Sequence, residues 1–389
     1  MYTLEDKGPS VPKKAFIVGV ALDGQSVDEV EEHLDELEAL IISCGGSVVG
    51  RALQRRRVPD AGTFIGSGKA KEIGEAAKAL ESEIIIFDDD LTASQVKKLE
   101  KTSDSAVMDR SSVILEIFAR RARTREARTQ VELARLNYLL PRLTRRWSHL
   151  SRQVGGIGVR GGEGESQLEA DRRMLRQRIQ RLKKELKKIE KTRGVQRHSR
   201  RDVPVVALAG YTNAGKSTLF NRLTGGDVYA KNQLFATLDS RLRRGALAPQ
   251  RMVIFADTVG FIRKLPHHLV SSFRSTLEEI TEADLVLHVI DRSHPAWREQ
   301  YQVAREVLED LGVSSEETLL VYNKIDLLGD ASPFLPGEHG SDTTLAVSAT
   351  TGEGLDTLKA TLAQRLFQGD QVSFGPPPSA LPQSDSDSP

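Results

Sequence analysis

Residues 210–217 read Gly210-Tyr211-Thr212-Asn213-Ala214-Gly215-Lys216-Ser217, a G-x-x-x-x-G-K-S frame. An apolar run, Val205 to Ala209, precedes it and a helical pattern follows. A loop of this spacing points successive backbone N–H groups inward around a phosphate, and the helix behind it adds the positive end of its dipole. Lys216 can reach β- and γ-phosphates, and the Ser217 hydroxyl can take one Mg²⁺ position. A chance match in a glycine-containing turn would lack the strand before and the helix after; this loop has both.

Three further strand ends carry matching chemistry. Met252 to Ala256 is apolar and runs into Asp257-Thr258-Val259-Gly260. A carboxylate there can hold a Mg²⁺ shell through water, and the Gly260 N–H can bond a γ-phosphate, so the loop beyond it senses hydrolysis. Leu285 to Ile290 is the next strand. Leu319 to Tyr322 follows and leads into Asn323-Lys324-Ile325-Asp326. The Asp326 carboxylate can accept two hydrogen bonds from the edge of guanine, and adenine offers no such donor pair. Leu345 to Val347 enters Ser348-Ala349-Thr350, where a backbone N–H can meet the guanine oxygen. One such motif is weak evidence; four in this order, each at a strand end, are strong evidence for a nucleotide site.

Several elements must position these residues. The 389-residue length fits two or three domains, and 39% apolar with 28% charged residues fits a globular protein. The single cysteine, Cys44, excludes an intrachain disulfide and points to a reducing, cytoplasmic setting. The N-terminus has no apolar core of a signal peptide, and no apolar run is long enough to span a bilayer. The pattern divides the chain into a disordered N-terminus (1–14), an α/β domain (15–110), a basic helical hairpin (111–200), a nucleotide-binding domain (201–368) and a disordered tail (369–389).

Residues 15–107 alternate strand and helix periods in a βαβαβαβ order, which predicts a small parallel sheet. Gly66-Ser67-Gly68-Lys69 lacks an upstream strand–glycine frame and reads as a helix-start turn. Asp88-Asp89-Asp90 follows a strand end and reads as a solvated turn and helix N-cap rather than a metal site.

The segment Arg110–Arg201 holds 26 Lys and Arg against 9 Asp and Glu, so its net charge of +17 faces −16 in the rest of the chain. Such a block suits a polyanionic partner; solvated basic helices that bind nothing are the bland alternative. Leu133, Leu136, Leu140, Leu143, Trp147 and Leu150 form one heptad-like seam, and Leu175, Ile179, Leu182, Leu186 and Ile189 a second. Pro141 is expected to kink the first helix. Between the seams, Gln153 to Gly164 contains six glycines. This predicts an antiparallel hairpin with a glycine-rich tip that can approach RNA closely, flanked by Arg145, Arg146 and Arg152.

The four nucleotide motifs together resemble the P-loop GTPases, from Val203 to roughly Phe367. The resemblance implies that Asn323 and Asp326 read the base while Lys324 packs on its ring. It implies a switch threonine, best matched by Thr237 in Phe235-Ala236-Thr237-Leu238-Asp239, whose hydroxyl or carbonyl would join Ser217 on Mg²⁺. Thr224 is the rival, placed too close to the helix. The implied catalytic set is Lys216, Thr237, Gly260 and Asn213. Phe261 stands where Ras-like members carry a water-orienting glutamine, and a benzyl group cannot hydrogen-bond water. Turnover by the lone chain is therefore expected to be slow. Either a K⁺ ion held at Asn213 or a partner that reorders the switches would supply what is missing.

The whole layout resembles the HflX family of ribosome-associated GTPases. The matching pieces are Gly62 to Lys69, the segment Gly155 to Glu165 followed by Ser166-Gln167-Leu168-Glu169, and Asp257 to Pro266. The tip departs from the commoner GxRGPGE form, being one residue longer and without proline. The resemblance implies binding to the large ribosomal subunit and its rRNA, splitting of stalled ribosomes and a monomer, with peripheral membrane association as an accessory expectation. The alternatives are a GTP-dependent assembly or RNA-modifying factor, and a protein-binding regulator. No Cys/His cluster or cofactor motif supplies the second catalytic centre that a modifying enzyme needs.

Overall fold

The computed structural model describes residues 14–143, 164–198, 203–226, 234–235, 237–264, 274–329 and 344–367. The expected N-terminus 1–14 apart from Lys14, which opens the first strand, the expected tail 369–389, most of the glycine-rich tip, Trp147, Leu150, Arg145, Arg146, Arg152 and Ala236 lie outside these residues.

The first domain alternates β1 (Lys14–Ala21), α1 (Val27–Ser43), β2 (Ser47–Arg55), α2 (Ser67–Ala79), β3 (Ile84–Phe87), α3 (Ala93–Ser103), β4 (Ala106–Asp109) and α4 (Arg110–Arg121). Its sheet is parallel throughout, in the order β2-β1-β3-β4. β1 after Lys14 and all of β3 are apolar and buried because helices cover both faces. Local signals set the helix starts. Ser26 accepts the Glu29 N–H at 3.0 Å, and Thr92 with Gln95 closes a capping box on α3. The turn Gly66–Lys69 opens α2, as its sequence suggests.

α4 lies inside the stretch expected to belong to the basic hairpin. Val113, Ile114, Ile117 and Phe118 are buried in one cluster with Leu34, Leu37 and Ile41 of α1. The arginines at its end carried it into the basic block by composition, while its apolar face belongs to the first core.

α5 (Arg125–Leu139) ends in a 3₁₀ turn over Leu140–Arg142, which accommodates Pro141. The long α6 (Gly164–His198) returns along α5. Glu132 pairs with Arg178 at 2.7 Å and Glu185 with Arg125, so the two helices run antiparallel. Leu133, Ile179 and Leu182 fill their seam.

The third part comprises β5 (Val205–Ala209), α7 (Lys216–Thr224), β6 (Arg241–Ala248), β7 (Arg251–Asp257), α8 (Arg274–Thr281), β8 (Leu285–Asp291), α9 (Trp297–Asp310), β9 (Thr318–Asn323), β10 (Thr344–Ala346) and α10 (Leu355–Leu366). Its sheet runs β10-β9-β8-β5-β7-β6, parallel except for the β6–β7 pair. β6 is an edge strand with exposed arginines, and its sequence alone gives no apolar run to reveal it.

The α4–α5 corner packs directly on this domain. Phe118 meets Phe235 edge to face, with ring centroids 4.8 Å apart. Phe235, Leu238, Phe261 and Ile262 share one buried cluster with Leu34, Ile114 and Phe118. The nucleotide-side loops thus form part of the core between the domains.

Candidate functional site

The carboxyl ends of β5, β7, β9 and β10 bring the predicted residues to one edge of the sheet, where parallel sheets place their ligands. Gly215 takes φ +92° and a side chain there would collide with the Asn323 amide, so the loop needs glycine at that turn. Asn213 sits exposed at the tip with φ +62°. Lys216 opens α7 and is buried, its ammonium donating to the carbonyl oxygens of Gly210 at 3.0 Å and Tyr211 at 2.7 Å. Burial pushes its pKa down to about 8, and the Asp257 charge opposes that shift.

The loop after β7 lies against the phosphate loop. Thr212 N donates to Phe261 O at 2.7 Å, and Phe261 N donates to Gly210 O at 3.0 Å. A Cβ on Gly260 would meet Thr212 at 2.8 Å and Lys216 Nζ at 3.0 Å, so only glycine permits this approach. Thr258 is turned inward, its hydroxyl donating to Leu208 O at 2.6 Å, and Val259 joins the buried cluster. Phe261 is buried in the same cluster, which places its ring in apolar packing.

Ser217, Thr237 and Asp257 converge. The two hydroxyl oxygens are 3.0 Å apart, and each donates to Asp257 Oδ2, at 2.8 and 2.9 Å. Thr224 turns away and donates to Phe220 O within α7. Burial raises the pKa of Asp257, and the hydrogen bonds from Ser217 and Thr237 oppose that rise. Asp257 Oδ1 is buried without a hydrogen-bond partner among the described residues. Two hydroxyls and a buried carboxylate whose Oδ1 is unsatisfied form a hard-oxygen donor set that fits Mg²⁺ and its waters.

At the base end, Asn323 is buried and acts as a bridge. Its Nδ2 donates to Ala214 O at 2.8 Å, and its Oδ1 accepts from Ala349 N at 3.0 Å. Its oxygen and one amide hydrogen thus hold three loops in register. Lys324 takes φ +64° and its ammonium lies 2.6 Å from Asp291 Oδ2. Ile325–Leu327 form a short 3₁₀ turn. Asp326 is exposed, with one oxygen held by Ser348 Oγ at 2.6 Å. Arg222 of α7 donates to the carbonyl oxygens of Ala349 and Thr350, tying the last loop down.

Sequence reasoning missed the contacts that tie this edge to other parts of the chain. Tyr211 donates its hydroxyl hydrogen to Glu36 of α1 and accepts from Arg263 N at 2.8 Å. Lys264 sits 2.6 Å from both Asp88 and Asp89, and the buried Arg110 pairs with Asp88 and Glu36. The triple-aspartate turn is therefore an ion-paired junction instead of a solvated cap; Thr92 caps α3. Its partners lie 22 and 176 residues away, beyond the reach of local reading. Asp239 accepts hydrogen bonds from Arg123 N and Thr124 at the start of α5.

Three family models match the chain. The model described as GTP-binding GTPase N-terminal covers residues 31–119, GTP-binding GTPase Middle Region covers 121–200, and 50S ribosome-binding GTPase covers 205–324. GTPase HflX of Escherichia coli is 47% identical over 342 residues, 87% of this chain and 80% of that protein. GTPase HflX of Magnetococcus marinus is 45% identical over 353 residues, 90% of this chain and 82% of that protein. A GDP-bound GTP-binding protein from Sulfolobus solfataricus aligns over 91% of this chain and 99% of its own, at 24% identity and TM-score 0.46. The chain is a GTP hydrolase and belongs to the HflX family of GTPases.

Proposed function

We propose that this GTPase docks on the large ribosomal subunit through its basic helical arm, and that GTP hydrolysis releases it. The observation that carries the reading is the face of α6. Arg173, Arg176, Arg181, Lys183, Lys184, Lys187, Lys188 and Lys191 are all exposed along one helix. Its 35 residues span about 50 Å at 1.5 Å per residue, long enough to follow an RNA groove. Phosphates are the natural counter-charge for such a row. The family description of residues 205–324 as a 50S ribosome-binding GTPase supports the same partner.

Within the catalytic edge, the Gly210–Ser217 loop holds the phosphates and Lys216 the β- and γ-oxygens. Ser217 and Thr237 would hold Mg²⁺, with the Asp257 carboxylate supporting them. When bound, the ion would supply neutralisation of the charge that develops in phosphoryl transfer. Asp326 reads guanine, Lys324 covers its ring, and Ser348-Ala349-Thr350 meets its oxygen. Gly260 N–H senses the γ-phosphate.

The GTP form favours the switch arrangement that docks, in the role of splitting or rescuing stalled ribosomes. With Phe261 buried, stimulation comes from the docked subunit, from K⁺ at Asn213, or from both. The deciding measurement is GTP turnover with and without purified large subunits. Marked stimulation supports the reading; equal rates, together with no co-sedimentation, overturn it. Comparing K⁺ with Na⁺ buffers separates the two sources.

A further inference from the structure

The segment that carries Thr237 is gripped from outside its own domain. Phe235 is buried against Phe118 of α4. Four residues on, the Asp239 carboxylate faces the first turn of α5. Its Oδ2 accepts from Arg123 N at 3.0 Å and from Thr124 N at 3.3 Å, and its Oδ1 accepts from Thr124 Oγ1 at 2.5 Å. Thr124 uses both capacities of its hydroxyl. The hydrogen goes to Asp239, and the oxygen accepts Ala127 N–H at 3.1 Å as the N-cap of α5. Between these two outer anchors, Thr237 turns inward to Asp257 and Ser217. The carboxylate also sits at the positive end of the α5 dipole, which favours it there.

We propose that Thr124, at the base of the helical arm, is a positioning residue for GTP hydrolysis. It acts through Asp239 to hold Thr237 on the magnesium-binding cluster. The inference rests on the assignment of Thr237 to the Mg²⁺ shell and is independent of any ribosomal partner. It makes α5 part of the catalytic apparatus, since a displacement of its first turn is transmitted over two residues to the threonine hydroxyl.

The test separates capping from positioning. Thr124→Asp keeps an excellent N-cap acceptor but sets a carboxylate against Asp239. Thr124→Ser retains both bonds. Steady-state kcat and KM for GTP, together with the Mg²⁺ affinity of the complex with a non-hydrolysable GTP analogue by titration calorimetry, are measured for each variant of the full chain. The expected result for Thr124→Asp is a kcat loss of about tenfold, in line with a small misplacement of a catalytic group. KM for GTP stays within about twofold and the Mg²⁺ affinity falls. Thr124→Ser behaves as the parent. Adding Asp239→Asn to Thr124→Asp replaces repulsion by an amide–carboxylate hydrogen bond and restores kcat.

Unchanged kcat and Mg²⁺ affinity in Thr124→Asp overturn the proposal. So does a kcat loss that Asp239→Asn fails to rescue. Thr237→Ala is run beside them. If it is fully active, the assignment of Thr237 falls and the proposal with it. If it is impaired while Thr124→Asp is not, only the positioning role falls.

Discussion

The Lys264 ammonium lies 2.6 Å from Asp88 Oδ2, joining the residues that follow Gly260 to the end of a strand in the first domain. Asp88 is buried and is shared with Arg110, whose guanidinium is 2.6 Å from Oδ1. Asp89 completes the grip on Lys264. The loop that follows Gly260 is thereby attached to a second folding unit.

Removing that attachment leaves a buried carboxylate with one cation fewer. Breaking a fully buried pair costs about 3–5 kcal/mol, and the partial exposure of Lys264 reduces this. Lys264→Ala is expected to lower unfolding stability by about 1–2 kcal/mol. Urea denaturation of the full chain measures it. No change in midpoint would show that the pair contributes nothing net.

Lys216 links nucleotide affinity to pH. Burial holds its pKa at about 8 in the free protein. The triphosphate raises that pKa, so binding takes up a proton wherever the free lysine is neutral. Affinity for GTP is therefore full below the free-state value and falls as pH rises through about 8. Titration calorimetry in buffers of different ionisation enthalpy reads the proton uptake directly. A flat affinity from pH 7 to pH 9.5 with no proton uptake contradicts the prediction.

With Asp326 reading guanine as proposed, Asp326→Asn replaces an acceptor by a donor at the base edge. GTP affinity is expected to fall by about a hundredfold, the range of a charge-assisted hydrogen bond lost. Xanthosine triphosphate, which offers an oxygen at the same corner, is expected to gain. Competition binding with both nucleotides tests the exchange; retention of the GTP preference would remove Asp326 from the base site.

Reversing Lys183, Lys184, Lys187 and Lys188 to Glu changes the arm without touching the nucleotide edge. Binding to large subunits is expected to weaken by at least about tenfold and to become less steep in salt, because fewer counterions are released. GTP affinity stays constant. Unaltered sedimentation with ribosomes would place the contact elsewhere.

The turns that end β5, β7 and β9 were legible because each is local. A strand, a turn and a helix start specify Gly210–Ser217 without help, and the same holds for Asp257–Gly260 and Asn323–Asp326. The role of Asn323 was less legible. Its bridge from Ala214 O to Ala349 N spans three loops that meet only after the sheet forms. α4 was hidden by its terminal arginines, and β6 by its exposed face. The junctions Lys264–Asp88, Tyr211–Glu36 and Asp239–Thr124 join residues over a hundred positions apart. No periodicity marks them; only a charged residue beside a glycine motif hints that something distant must meet it.

Phe261 fills a dry seat between the two domains, and that fixes what mutation can achieve there. A glutamine grafted at this site would point its amide into hydrocarbon, leaving polar groups unsatisfied and the attacking water untouched. The ring is committed to packing that joins two folding units, so a water-orienting group cannot be supplied from this position without first reshaping the core around it.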